Sequence, residues 1–231
     1  MSAAATLYAA PGGGSAGGSA LRAYEDGLRL AEAGHRVTLT LRDDRGDPHP
    51  VDVAAWCRSF LPGDRGLLDR CTGPTLDVGC GPGRLTGELL GCGRPALGVD
   101  ISAAAVAIAR RRGVTALRRD VFDPLPGHGR WTHVLLADGN IGIGGAPGRL
   151  LRRCRDLLAP AGAAHVECAA PGTRTWAGVA HLYGAGSVAG SPFRWASVAI
   201  DDLAGIASDA GLRATRIWTE AGRWFASLAR A

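Results

Sequence analysis

Asp77, Asp100 and Asp120 are the residues of this chain best placed to do chemistry, since each belongs to a short apolar segment and the first runs straight into glycines. The stretch 75–85, TLDVGCGPGRL, carries glycine at three alternate positions, Gly79, Gly81 and Gly83. Residues 75–78 have the apolar character of a buried strand, and 84–90 read as the first turns of a helix. A strand, a glycine turn and a helix in that order let the backbone reverse sharply, open main-chain atoms to a ligand and bring a helix N-terminus up behind it. A ligand is expected at this turn.

Two ligand classes use such a turn, dinucleotides and S-adenosylmethionine. The dinucleotide fingerprint has glycine or alanine three residues after its second glycine, to pack helix on strand. This chain has Arg84 there. A carboxylate at Asp77 would repel a pyrophosphate, whereas it attracts the ammonium and sulfonium of S-adenosylmethionine; Asp77 can also do no more than cap the turn. Asp100, at the end of the second apolar segment, can accept both ribose hydroxyls and suits either class. Asp120 offers a carboxylate to an adenine edge, with the amide and side chains of Val121 and Phe122 beside it, unless it is a plain loop residue.

The elements that must hold these residues follow from the pattern of apolar runs. Strands are predicted at 75–79, 95–99, 114–119, 132–138 and 163–169, with helices at about 83–91, 102–112, 147–158 and 201–210. Short apolar strands alternating with helices or long loops indicate a parallel sheet covered on both faces. The last two segments, 212–219 and 223–229, have no room for a crossover and must pair antiparallel. Ahead of this domain, residues 1–19 hold PGGGSAGGS and are expected to be flexible, either as a tail or as a segment closing over substrate. A helix is predicted at 20–33, a hairpin around the turn 43–47, and a helix through Trp56 to Phe60. The division is a flexible tail and cap at 1–66 and the main domain at 67–231.

Together LDVGCGPGR, LGVDIS, RRDVFDPLP and WTHVLLADGNIGIGG resemble the class I S-adenosylmethionine-dependent methyltransferases over about 67–231. The resemblance implies an α/β fold with a Rossmann-like, seven-stranded, mostly parallel sheet, an antiparallel last strand and three α/β/α layers. It implies that Gly79 and Gly81 contact the methionine portion of S-adenosyl-L-methionine beside Asp77, with Asp100 on the ribose and Asp120 on the adenine amine. Cys80, Ile101, Val121, Phe122 and Asp138 complete the expected cofactor set. The run DGNIGIGG departs from the (N/D)PP(Y/F) signature of methyltransferases acting on nucleic-acid bases or glutamine. It is similar to a small-molecule group common in actinomycete-like, high-GC genomes, and places Asp138 and Asn140 beside the methyl group.

The stretch 170–199 reads as a long loop, of the kind that is functional or mobile. Its Trp176, Tyr183 and Trp195 can wall an apolar or aromatic substrate, and His181 can take a proton from an attacking hydroxyl or amine, or be a surface histidine on a lid. His165 reads as core or strand edge, and His128 and His133 show no partner. The six cysteines lack metal-ligand spacing, so no metal is expected. The net charge of +5 comes from 26 basic residues, all arginine and spread along the chain, which fits solvated helix faces better than a nucleic-acid surface. No apolar run approaches the ~20 residues of a membrane span, and the start of the chain lacks a signal-peptide pattern. The expected protein is a cytoplasmic monomer or homodimer that moves a methyl group to an O or N atom of a small molecule. The alternatives are an NAD-binding oxidoreductase and a non-catalytic S-adenosylmethionine-binding accessory protein.

Overall fold

The computed structural model describes residues 17–184 and 191–231. Most of the glycine-rich start, 1–16, lies outside the described residues; residues 17–19 already belong to the first helix.

In chain order the elements are α1 (Gly17–Glu32), β1 (Thr38–Arg42), β2 (Pro48–Asp52), α2 (Val53–Trp56), α3 (Asp64–Asp69), β3 (Thr75–Val78), α4 (Arg84–Gly91), β4 (Ala96–Asp100), α5 (Ala103–Arg111), β5 (Ala116–Arg118) and β6 (Trp131–Leu136). A 3-10 segment at Asn140–Gly145 follows, then α6 (Pro147–Leu157), β7 (Leu158–Cys168), β8 (Trp176–Tyr183), β9 (Phe193–Ser197), α7 (Leu203–Asp209), β10 (Leu212–Glu220) and β11 (Arg223–Arg230).

Seven strands form one sheet in the order β10-β11-β7-β6-β3-β4-β5, parallel except at β11, which runs against both neighbours. Strand direction reverses its winding between β3 and β6, the point at which open α/β sheets leave a crevice at their carboxyl edge. Along β6 successive residues enter opposite hydrophobic layers, Val134 and Leu136 on one side and Leu135 on the other. That two-sided burial explains why its sequence is continuously apolar rather than alternating. The Leu135 side meets Leu67 and Leu68 of α3 and Leu85 and Leu89 of α4. The Val134 side is covered by α5, α6 and α7 and by α1, whose Tyr24 and Leu28 are fully enclosed.

The stretch 170–199 is not the long loop that its glycines and prolines suggest. Its strands β8 and β9 join the N-terminal hairpin in a second sheet, ordered β2-β1-β8-β9 and antiparallel throughout. Trp176, Ala180 and Leu182 point inward at period two and bury against the apolar face of the hairpin, Leu39, Leu41 and Val51, in the same core. Pro171, Gly172 and Pro192 merely flank the strands. The predicted helix through Phe60 also stops early, at Trp56, and α3 was not anticipated.

The 3-10 segment carries the second sheet. A Cβ at Gly142 would stand 2.7 Å from the Trp195 ring and would strike the backbone carbonyl of Ala196. Only glycine lets β9 lie directly on this segment, which accounts for the glycine-rich run after β6.

At the opposite, amino-terminal edge of the main sheet, His133 Nδ1 lies 3.0 Å from His165 Nε2, and His165 Nδ1 lies 2.9 Å from Ser227 Oγ. His133 Nε2 accepts from the Thr72 amide. Burial, with His133 and Arg70 nearby, lowers His165 to about 3, so the chain is a neutral structural relay far from the carboxyl edge.

Candidate functional site

Two hollows lie side by side at the carboxyl edge of β3, β4 and β6. The first is bounded by Asp77, Gly79, Gly81 and Asn140 below and by Tyr24 of α1 and Trp56 of α2 above. The second runs from Gly79 and Asp100 past Ile101 to Asp120, Val121 and Ile143. Gly79, Gly81 and Gly83 take φ of 72°, 53° and 86°, which a Cβ would strain, so the turn between β3 and α4 depends on them.

Asp100 and Asp77 are held by the glycine turn and by the helix that follows it. Asp100 accepts from the Gly81 amide at 3.0 Å and the Ser102 amide at 2.8 Å, tying the glycine turn to the end of β4. Asp77 accepts from Thr86 Oγ1 at 2.7 Å. Burial outweighs these bonds and pushes both carboxyls up to about 6. Asn140 donates to the carbonyls of Val78 and Gly79 at 2.8 and 3.0 Å, which leaves its Oδ1 buried and without a hydrogen-bond partner. Two costly carboxylates and an orphaned acceptor make a lining suited to donor-rich, cationic chemistry.

A third and much wider hollow adjoins them under the second sheet. Its walls are the rings of Trp176, Trp195 and Trp224 with Leu41 and Ile141, and its polar groups include His49, Glu167 and Arg223. The stretch 137–141 separates it from the first hollow by alternation: Asp138 and Asn140 face the first, Gly139 and Ile141 the third.

A buried ion network stiffens this partition. Arg223 donates to Glu167 at 2.9 and 2.7 Å, to Asp138 at 3.0 Å and to Asp64 at 2.8 Å. Arg84 pairs with Asp64 and, at 2.5 Å, with Asp138. Asp138 sits at φ 54°, and its amide is accepted by Glu167 at 2.5 Å. Burial raises the Glu167 carboxyl while Arg223 works to lower it. Two guanidinium groups face three carboxylates here, a balance that favours a further positive charge nearby. Arg84 fits its motif position because its side chain turns into this network instead of pressing on the strand.

Of the residues read from the sequence, Asp77, Gly79, Cys80, Gly81, Asp138 and Asn140 line the first hollow, and Asp100, Ile101, Asp120 and Val121 the second. Phe122 lines neither. Its amide is taken by Asp120 Oδ1 at 2.9 Å, and the Arg149 guanidinium covers its ring at 3.9 Å. Trp176 and Trp195 line the third hollow, but Tyr183 and His181 do not. Both stand on the face of β8 opposite to Trp176, where Arg42 lies 5.6 Å from the Tyr183 ring. His49, Tyr24, Trp56, Glu167 and Arg223 had no signal in the sequence. They reach the site through strand pairing and packing between distant segments, which no local motif announces.

Residues 75–162 match the family model described as a methyltransferase domain. The fold is similar to that of an S-adenosylmethionine-dependent methyltransferase from Bacteroides fragilis solved with S-adenosyl-L-homocysteine, at a TM-score of 0.76 and 22% identity over 92% of this chain and 96% of that one. It is also similar to the 1,6-didemethyltoxoflavin-N1-methyltransferase of Burkholderia thailandensis, at a TM-score of 0.61 and 17% identity over 97% and 93% of the two chains. That structure holds 1,6-didemethyltoxoflavin and S-adenosylhomocysteine. A stretch of 67 residues is 37% identical to a tabtoxin biosynthesis enzyme of Pseudomonas amygdali pv. tabaci. The match spans 29% of this chain and 27% of that relative's length. The methyltransferase match thus falls on β3 to β7, where the glycine turn and the partition lie.

Proposed function

We propose that the chain is an S-adenosylmethionine-dependent methyltransferase acting on an O or N atom of a small molecule, with the cofactor in the two narrow hollows and the acceptor in the aromatic one. The observation that carries this reading is the contrast across 137–141: buried acceptors on one side, a large ring-lined hollow on the other. The lining fits the cofactor. Asp77 and the Asn140 Oδ1 match its ammonium, Asp100 its ribose hydroxyls, and Ile101, Val121 and Ile143 the faces of an adenine beside Asp120. When bound, the group supplies a methyl already activated by its sulfonium. The protein then has to orient an acceptor in line with that methyl and exclude water, which Trp195, Ile141 and the overlying second sheet do.

The acidic lining disfavours a pyrophosphate, and hence NAD. The N-terminal segment to residue 66 acts in this reading as a cap that shares its hairpin with β8, over a methyltransferase domain at 67–231. The DGNIGIGG run suits the close seat of β9 and supports a small-molecule acceptor. Among the described residues no helix is long and apolar enough to cross a membrane. Isothermal titration against both cofactors tests the assignment. S-adenosylmethionine is expected to bind at one site and NAD not to bind; tight NAD binding without S-adenosylmethionine binding would overturn it.

A further inference from the structure

Resting on that reading, we infer that the acceptor is a hydroxylated aromatic ring and that His49, oriented by Asp43 and stacked on Trp176, takes its hydroxyl proton. His49 lies on β2 opposite Leu41, and both face the large hollow. Its ring stacks on Trp176 with centroids 6.1 Å apart and planes at 22°. Its Nε2 lies 3.3 Å from Asp43 Oδ2. With the Asp43 carboxylate as acceptor, Nε2 carries the ring proton and Nδ1 keeps a lone pair.

Asp43 is built to stay charged. Burial works to raise its carboxyl, but the Arg45 amide, His49, the Asp47 amide and Arg174 together hold it below the ordinary carboxylate range. Oδ1 accepts the Arg45 and Asp47 amides at 2.9 and 3.0 Å, while Oδ2 is shared between His49 and Arg174. The charged groups around His49 are therefore Asp43, Asp44 and Asp47 on its own hairpin, Arg174 ahead of β8, and Glu167 with Arg223 across the hollow. Glu167 and Arg223 are consumed by the buried network, so the imidazole is the group on this wall able to accept a proton.

Trp176, Trp195 and Trp224 give the hollow three rings, which favour a flat aromatic guest by stacking and area burial. An aromatic hydroxyl is a weak nucleophile until it loses its proton, whereas an amine attacks through its free lone pair. A base on the wall therefore points to oxygen. The acceptor oxygen bonds to the methyl carbon as the carbon–sulfur bond leaves its electron pair on sulfur, and the hydroxyl proton passes to His49 Nδ1. The imidazolium so formed faces the Asp43 carboxylate.

The test uses 2-naphthol and naphthalene as probes of the full chain. Equilibrium dialysis without cofactor is expected to show that His49→Phe, which keeps a ring against Trp176, lowers the 2-naphthol to naphthalene affinity ratio about fivefold. With S-adenosylmethionine present, His49→Phe is expected to slow methylation of 2-naphthol at pH 7 by roughly 10²–10⁴-fold. The deficit should shrink above about pH 10, where a phenolic hydroxyl ionises unaided. An unchanged affinity ratio, a deficit that persists at high pH, or no methyl transfer by the wild type despite naphthol binding would each overturn the inference. Titration of S-adenosylmethionine in the same samples separates the cases, because its failure to bind overturns the proposed function instead.

Discussion

The narrow hollows at the glycine turn and the wide aromatic hollow share a wall yet are built in different ways. The acidic floor of the narrow pair comes from two adjacent strands. Asp77, Gly79, Gly81 and Asp100 lie at the ends of β3 and β4 and in the turn between β3 and α4, and Asp100 is bonded to the Gly81 and Ser102 amides. The wide hollow is assembled at long range, from β2, the 3-10 segment, β7, β8, β9 and β11. Under the proposed function, the difference means that cofactor chemistry follows a motif while acceptor chemistry follows a sheet pairing, so the second can vary while the first is kept.

The comparison is broken most severely at the shared wall. Arg223→Ala is expected to cost about 3–5 kcal/mol of stability, because it leaves Glu167, Asp138 and Asp64 buried with one guanidinium between them. Denaturant unfolding reads this directly, and a change under 1 kcal/mol would show that the network is not essential to the partition. Asp100→Ala should affect one side alone. It is expected to weaken S-adenosylmethionine binding by roughly 1.5–3 kcal/mol, since it removes charge-assisted bonds and strands two amides, and to leave 2-naphthol binding as it was.

Gly142→Ala is the converse substitution. A methyl there displaces Trp195 and β9, costing about 1–3 kcal/mol by overpacking, and 2-naphthol binding should fall while cofactor affinity holds. Loss of both affinities together would mean that the two regions do not act separately. The effect of pH is graded instead of all-or-none. Asp77 and Asp100 have carboxyls raised to about 6 in the folded chain, against an ordinary 3.8. Their stabilising contribution is present below about pH 4 and is lost as pH rises through 6, so the free protein at pH 7 bears a cost that a cationic ligand relieves. Cofactor affinity should therefore decline as pH falls below about 6, by at most about tenfold per unit for each carboxylate, with naphthalene binding flat over the same range.

The same contrast decides what could be read before folding. The seven-stranded sheet, its reversed β11 and the acidic residues along its edge were legible, because a short buried strand running into glycines can do few other things. The second sheet was not. Its strands β1 and β8 pair across more than half the chain, residue 42 opposite residue 181, and the signs in 170–199 were glycines and prolines that in fact flank the strands. For the same reason the aromatic stretch pointed to His181, which alternation turns away from the hollow, and not to His49, which the hairpin brings in. Arg223 and Asp64 drew no notice, since burial of an ion pair leaves no trace in the pattern of either segment. Arg84 was noticed only as an obstacle to a dinucleotide, and its role as half of the partition emerged from Asp64 and Asp138 on other elements.

The central claim is that the two sides of the 137–141 wall are joined by transfer of a methyl group to a small molecule. Incubating the protein with methyl-labelled S-adenosylmethionine and a cell extract, followed by mass spectrometry of the labelled products, tests it most directly. A labelled small molecule that disappears with Asp100→Ala is the predicted result. Label confined to macromolecules, or no label despite intact cofactor binding, would contradict it.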